Sequence, residues 1–327
     1  MTEAGAATDH AWRQTLRAAA EGFDAQTLAE LPTTVKAVQK GDESARLALL
    51  AALWHAAARD PAATWPVYDA LAQSWSGAPL EGHETPASQG VAPYTGALWP
   101  ALFDVLDATR SGELDAVGVT LRVAGLATHL DTAFGGLAEA TARALSGIEP
   151  HERSVTPPIR LDDLAGYAGG SLGDTLLRML RDNGYDPEVL DRSSIGLDGL
   201  PPALRYLNTR ILQTHDIWHL VAGYETTALH EIAISAFQLA QFGHNYSALF
   251  LATAVTTGAE SRIEGLPILL TIISEAWRHG RCTPPLMAVD WEAHWGDDID
   301  ALREHLGVAP FSSSLPANLF ELLAAAG

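Results

Sequence analysis

The stretch His215-Asp216-Ile217-Trp218-His219, followed after eleven residues by Glu231, decides how this chain is read. Two histidines four apart share one face of an α-helix. At roughly 100° per residue, His215, His219 and Asp216 fall at about 0°, 40° and 100°, so one arc holds all three and they can close on one ion. Ile217 and Trp218 lie off that arc and pack into protein. Glu231 stands twelve residues beyond His219, about 18 Å along a continuous helix, and reaches the same ion only if the chain turns. Gly223 supplies a turn, and Thr226 or Thr227 can cap a new apolar-periodic run. Imidazole with carboxylate suits zinc, iron or manganese. Zinc hydrolases place a glutamate between two helical histidines as general base. Here the acid is Asp216, shorter by one methylene, which fits a ligand, a supporting partner or a base.

Working outward, the chain reads as all-α. On the N-terminal side, apolar spacing predicts helices over residues 12–20, 35–57 and 64–75. Residues 76–94, rich in Gly, Pro and Ser, read as a linker. A helix follows over 96–109, then a long apolar run over 116–145, expected to break at Gly135-Gly136. Residues 149–162 and 193–202 read as loop and turn. Ser171–Asp182 is a helix with Gly184 as its stop. The motif helix runs from Pro202 to Val221 and the second from Ala228 to Phe242. On the second, Glu231, Ser235 and Gln238 form a polar line that faces a cavity. His230 lies roughly 100° from Glu231 and supports it from behind. Residues 247–256, 266–277 and 320–326 are apolar helices.

The whole composition agrees. Across 327 residues, 47% are hydrophobic and 18% charged, the balance of an ordered globular chain. Forty acids against 20 Lys and Arg give a net charge of −20. That argues against nucleic acid and against electrostatic attachment to anionic lipid. The single cysteine, Cys282, excludes an internal disulfide. No leader and no membrane span are read, so the expectation is a cytoplasmic protein. It would meet the inner membrane peripherally, through apolar surface.

The pattern His-Asp-x-x-His-x11-Glu resembles that of the coenzyme Q biosynthesis protein 4 family. Upstream, Gly169-Gly170-Ser171-Leu172-Gly173, the run Leu180 to Pro187 and Arg210 extend the likeness. Downstream, Trp277-Arg278-His279-Gly280, the run Pro285 to Glu292 and Leu302 to Gly307 continue it. His230 stands where the family commonly has glycine, and Ile211-Leu212 where an aromatic and a basic residue often lie. The resemblance covers residues 155 to 310. It implies a mainly helical fold and a divalent metal, usually zinc, on His215, Asp216, His219 and Glu231. It further implies a role in ubiquinone or related quinone synthesis, by oxidative removal of the C1 carboxyl from a polyprenylated hydroxybenzoate-type ring. Other quinone-biosynthesis enzymes are the implied partners, and a homo-oligomer is compatible with it. In the enzyme reading, Asp216 and His230 are the candidate catalytic residues. Two readings compete with the decarboxylase: a scaffold that binds isoprenoid intermediates around a structural metal, and a metal-dependent hydrolase. Residues 1–90 read as an N-terminal helical extension, and 91–327 as the metal-binding domain.

Overall fold

The computed structural model of the chain describes residues 3–112, 116–145, 158–184, 197–261 and 263–326. These form fourteen α-helices and no β-strand; one isolated bridge joins Ser171 to Asp298. The Tyr185-Asp186-Pro187 part of the family-like stretch lies outside the described residues, as do most of the loop expected over 149–162 and residues 193–196 of the turn expected over 193–202.

Helices α1 (Glu3–Glu21), α2 (Ala25–Gln39), α3 (Glu43–Ala58) and α4 (Thr64–Ser76) open the chain. The single helix expected over 35–57 is two. Gly41 adopts φ +86°, and the Asp42 side chain accepts from the Ala45 N–H to start α3. After an irregular strap come α5 (Leu98–Ser111), α6 (Ala116–Leu126) and α7 (Thr132–Arg143). The break expected at Gly135-Gly136 falls earlier. Asp131 accepts from Ala133 N–H at 2.9 Å and starts α7, and both glycines lie inside that helix. A side-chain cap outweighs the helix penalty of glycine, about 1 kcal/mol.

Next are α8 (Leu172–Asn183), α9 (Pro202–Ala222), α10 (Ala228–Phe242), α11 (Asn245–Ser261) and α12 (Leu266–Cys282), then the short α13 (Ile299–Leu306) and α14 (Leu319–Ala326). The turn chemistry expected of α8 is present: Ser171 caps its start, and Gly184 at φ +66° ends it. Helix α13 escaped sequence reading because only Leu302 of its eight residues is buried, too little for an apolar period.

Helices α10, α11 and α12 form the centre; α10 lies against α12 along most of its length. Gly280 permits this closeness, since a Cβ there would sit 2.7 Å from the Phe237 carbonyl oxygen. Helices α3 and α4 cover α11 and α12, while α9 packs on α7, α8 and α13. The separable extension expected over 1–90 therefore meets a shared interior. One continuous apolar core runs from Leu16 to Val308. Indole N–H groups stitch the two parts: Trp54 donates to Thr256 Oγ1, Trp65 to the Ala240 carbonyl, and Trp277 to Asp69. Tyr68 stacks on Trp277 with ring centres 4.9 Å apart. The expected linker is irregular but anchored: Arg278 donates to the carbonyls of Ala78 and Pro79, and His83 meets that of Thr283.

Candidate metal centre

The motif helix α9 ends as its sequence dictates. Gly223 takes φ +79° and caps the helix, with its N–H on the His219 carbonyl. Thr227 then accepts from His230 N–H and starts α10. The reversal brings Glu231, in the first turn of α10, back against α9. A helix N-terminus favours a carboxylate there.

Among the described residues, His215, His219 and Glu231 converge, with one ligand atom from each within 4.8 Å of the others. Nε2 of His215 and Nε2 of His219 are 3.1 Å apart. Glu231 turns one oxygen to each: Oε2 lies 3.5 Å from His215 Nε2 and Oε1 3.3 Å from His219 Nε2. A tetrahedral ion with bonds of 2.0–2.1 Å needs ligand atoms roughly 3.3 Å apart, so the spacing fits zinc. Three side chains rather than four converge, and 43% of the Glu231 side chain remains exposed. Asp216, expected beside the histidines, keeps its carboxylate outside the group of three and acts on His215 through its charge.

Proton placement fits as well. His219 Nδ1 lies 3.1 Å from the Tyr224 carbonyl oxygen. A carbonyl only accepts, so Nδ1 carries the proton and the Nε2 lone pair faces Glu231. Metal-binding histidines commonly donate their second N–H to a carbonyl or carboxylate. Gln238 holds its amide 2.6 Å from His215 Nδ1. As it stands the amide nitrogen donates to Nδ1; a half-turn of that amide would present its carbonyl oxygen instead, place the proton of His215 on Nδ1 and free its Nε2 also. The polar line of α10 thus faces the site. Ser235 closes back on the Glu231 carbonyl, and Gln238 reaches His215.

Burial pushes the Glu231 carboxyl up, but hydrogen bonds and charge from His215 and His219 outweigh it and hold the group well below the usual carboxylate range. Burial lowers His215, and Glu231, Asp216 and Gln238 together raise it above its ordinary value. Solvent on the open side screens both effects. His230 sits elsewhere than expected. Its Nδ1 accepts from the Glu225 N–H at 2.9 Å, and its ring edge meets Tyr224 and Phe311. It closes the turn between the helices and reaches Glu231 only through charge.

Further residues complete the surroundings; of these, sequence reading passed over Tyr224 and His244 and named His279, Arg210 and Glu292 only as part of the family likeness. Tyr224 and His279 stand behind His219. His244, buried and pushed down to about 3 by burial and by His215, stands beside an apolar cavity of about 460 Å³. Leu204, Asn208 and Leu212 line that cavity at i, i+4, i+8 of α9, and the stripe leads to His215 one turn on. Arg210 grips Glu292 through both carboxylate oxygens, at 2.6 and 2.8 Å, and ties the helix to the segment after α12.

Residues 151–312 match the family model described as Coenzyme Q (ubiquinone) biosynthesis protein Coq4. Over these residues the chain belongs to the Coq4 family. Its relatives include the mitochondrial ubiquinone biosynthesis protein COQ4 homolog of Rattus norvegicus, 28% identical over 46% of this chain and 55% of that protein. The human homolog is 29% identical over 49% of this chain and 59% of its own length. COQ4 of Eremothecium gossypii is 29% identical over 53% and 51%. The chain thus spans about half the length of the curated relatives it matches. A crystal structure of a protein assigned to ubiquinone biosynthesis in Nostoc punctiforme superposes with a TM-score of 0.51 at 27% identity, covering 64% of this chain and 96% of that one. The family therefore serves ubiquinone biosynthesis. The cytoplasmic location expected from the sequence is overturned by these relatives, which are named mitochondrial. Among the described residues no helix is long and apolar enough to cross a membrane.

Proposed function

We propose that this Coq4-family chain binds one divalent metal through His215, His219 and Glu231 and replaces the C1 carboxyl of a prenylated hydroxybenzoate-type ring by hydroxyl: the C1–carboxyl bond breaks to release carbon dioxide, and one dioxygen with one water supplies the hydroxyl and leaves as hydrogen peroxide. The observation that carries this reading is the three-sided, open site on α9, the helix whose preceding turns line an apolar cavity through Leu204, Asn208 and Leu212. A structural zinc site is closed by four protein ligands, whereas a catalytic one leaves a position for substrate or water. The cavity falls within the 300–1,000 Å³ typical of ligand pockets, and its lining suits a prenyl tail.

A bound divalent cation supplies positive charge beside an oxygen of the substrate as negative charge builds there. The chain's own residues do the rest. Glu231 and the two imidazoles hold the cation, and the Tyr224 carbonyl and Gln238 orient those imidazoles. The stripe Leu204, Asn208 and Leu212 aligns the tail and keeps water from its length. Asp216, outside the three ligands, would carry a proton beside His215. With partner enzymes of the same pathway supplying its substrate, such a site needs only to bind, orient and exclude water.

Elemental analysis of the purified chain should find about one divalent metal, lost in the double variant His215→Ala, His219→Ala. Asp216→Asn should keep the metal and lower turnover by about 100-fold or more, the scale of general acid–base catalysis. Loss of metal from Asp216→Asn would make it a fourth ligand. A loaded chain that binds a prenylated hydroxybenzoate under oxygen yet releases no carbon dioxide is a scaffold.

A further inference from the structure

Behind His219 the structure holds a second layer of polar groups. The Tyr224 hydroxyl lies 2.8 Å from His279 Nδ1, and His279 Nε2 lies 2.7 Å from the Ala309 carbonyl oxygen. That carbonyl can only accept, so Nε2 of His279 carries a proton. Burial lowers His279 against a smaller opposing effect from the Ala309 carbonyl, which leaves the ring neutral and Nδ1 bare. The Tyr224 hydroxyl is therefore the donor. The Tyr224 ring stacks on Phe311 at 4.5 Å and 22°. Phe311 N–H in turn donates to the Ala222 carbonyl. At the other end of the same residue, Tyr224 N–H donates to the His219 carbonyl and Tyr224 C=O receives His219 Nδ1–H. One residue is thus held at its hydroxyl, its ring and its backbone, and its carbonyl is what sets the tautomer of His219.

We propose that Tyr224 and His279 are positioning residues, which fix the carbonyl of Tyr224 so that His219 keeps its proton on Nδ1 and its lone pair on Nε2, facing Glu231. This rests on the reading of His215, His219 and Glu231 as metal ligands. The carbonyls of Ala309 and Tyr224 can only accept, which fixes the outer hydrogen bonds, and a neutral His279 makes the Tyr224 hydroxyl the donor between them. The sequence Ala309 carbonyl, His279, Tyr224, His219 therefore admits a single arrangement of protons. Without the hydroxyl, one of the three holds on Tyr224 is lost and its carbonyl gains freedom to drift. His219 can then place its proton on either nitrogen, and the form with Nε2–H cannot bind a cation at that atom.

The test uses the full chain labelled with ¹⁵N-histidine. Stripped of metal, the wild-type protein should show His219 with a protonated Nδ1 and a bare Nε2 in its ¹⁵N shifts. Tyr224→Phe should give a mixture of tautomers and weaken zinc by about 10-fold or more in chelator competition, the scale of losses at residues behind metal ligands. His279→Leu should do the same. His279→Gln, whose amide both donates and accepts, should restore the native shifts and affinity. Tyr224→Phe removes one oxygen only, so it keeps the question answerable should His279→Leu not fold. A Tyr224→Phe chain with native His219 shifts and native zinc affinity overturns the proposal, and so does a lowered melting temperature with unchanged shifts. If the wild-type chain takes up no zinc, the metal reading fails, while the shifts of the metal-free chain still decide the positioning role.

Discussion

At the scale of single residues, the site rests on which nitrogen of each histidine carries a proton, and Gln238 is the side chain that decides it for His215. Gln238→Leu should lower zinc affinity by about 10-fold or more, measured by chelator competition; an unchanged affinity would show that His215 orients itself. His55 offers a pH test away from the site. It is buried on α3 against Phe23, ring centres 4.7 Å apart, and burial pushes it from 6.5 down to about 4, the charges of Asp60 and Arg59 acting in opposite senses. A histidine lowered in the folded state is neutral there, so its contribution is intact above 6.5 and is lost as pH falls toward about 4. Each unit is worth about 1.4 kcal/mol, which puts the full loss at roughly 3 kcal/mol. Denaturant melts of His55→Leu between these pH values should be flatter than those of the wild type; parallel curves would rule His55 out as the source. The histidine pair and Glu231 were legible in sequence because i, i+4 spacing and a turn are local facts. Asp216 was harder to place, because an arc of about 100° still allows a carboxylate to point past an ion. Tyr224 and His279 lie 55 residues apart, and no local period connects them.

At the scale of helices, the placement of Glu231 depends on α10, and α10 depends on its close approach to α12. In an exposed helix Gly→Ala stabilises by about 1 kcal/mol. At Gly280 the added methyl would meet Phe237 O at 2.7 Å and Ala240 Cβ at 2.8 Å. Gly280→Ala should therefore destabilise, by about 1–3 kcal/mol as overpacking does, and should weaken metal binding as α10 shifts. Thermal melts and metal titration check both effects, and a raised melting temperature would contradict the argument. Most helices were legible from apolar period and caps: α10 begins at Thr227 and α8 ends at Gly184, as their sequences say. The breaks before α3 and α7 were not, because Asp42 and Asp131 each cap a helix through a single side chain, which leaves no mark on a hydrophobic period.

At the scale of the molecule, the first 90 residues belong to the interior that supports the site. A fragment from residue 91 would strip Trp54, Trp65 and Tyr68 from the faces of α11, α10 and α12. It should be insoluble or lack a cooperative melt, as sedimentation and circular dichroism would show; a soluble fragment that binds metal would restore a separate extension. The sequence hid this because the family likeness begins near residue 155, while the burial that joins the two parts is between residues far apart along the chain. Those same indole hydrogen bonds govern how the chain acquires its structure. Trp54, Trp65 and Trp277 bond to partners 202, 175 and 208 residues away. Ribosomes add about 5–20 residues per second, so the apolar faces of α3 and α4 wait for tens of seconds before α10 to α12 exist to cover them. Contacts this remote also slow folding, since loop closure must precede them. The opening helices α1 to α4 can pack on one another as they emerge, but the faces that α3 and α4 turn to α11 and α12 stay bare until the last third of the chain is made.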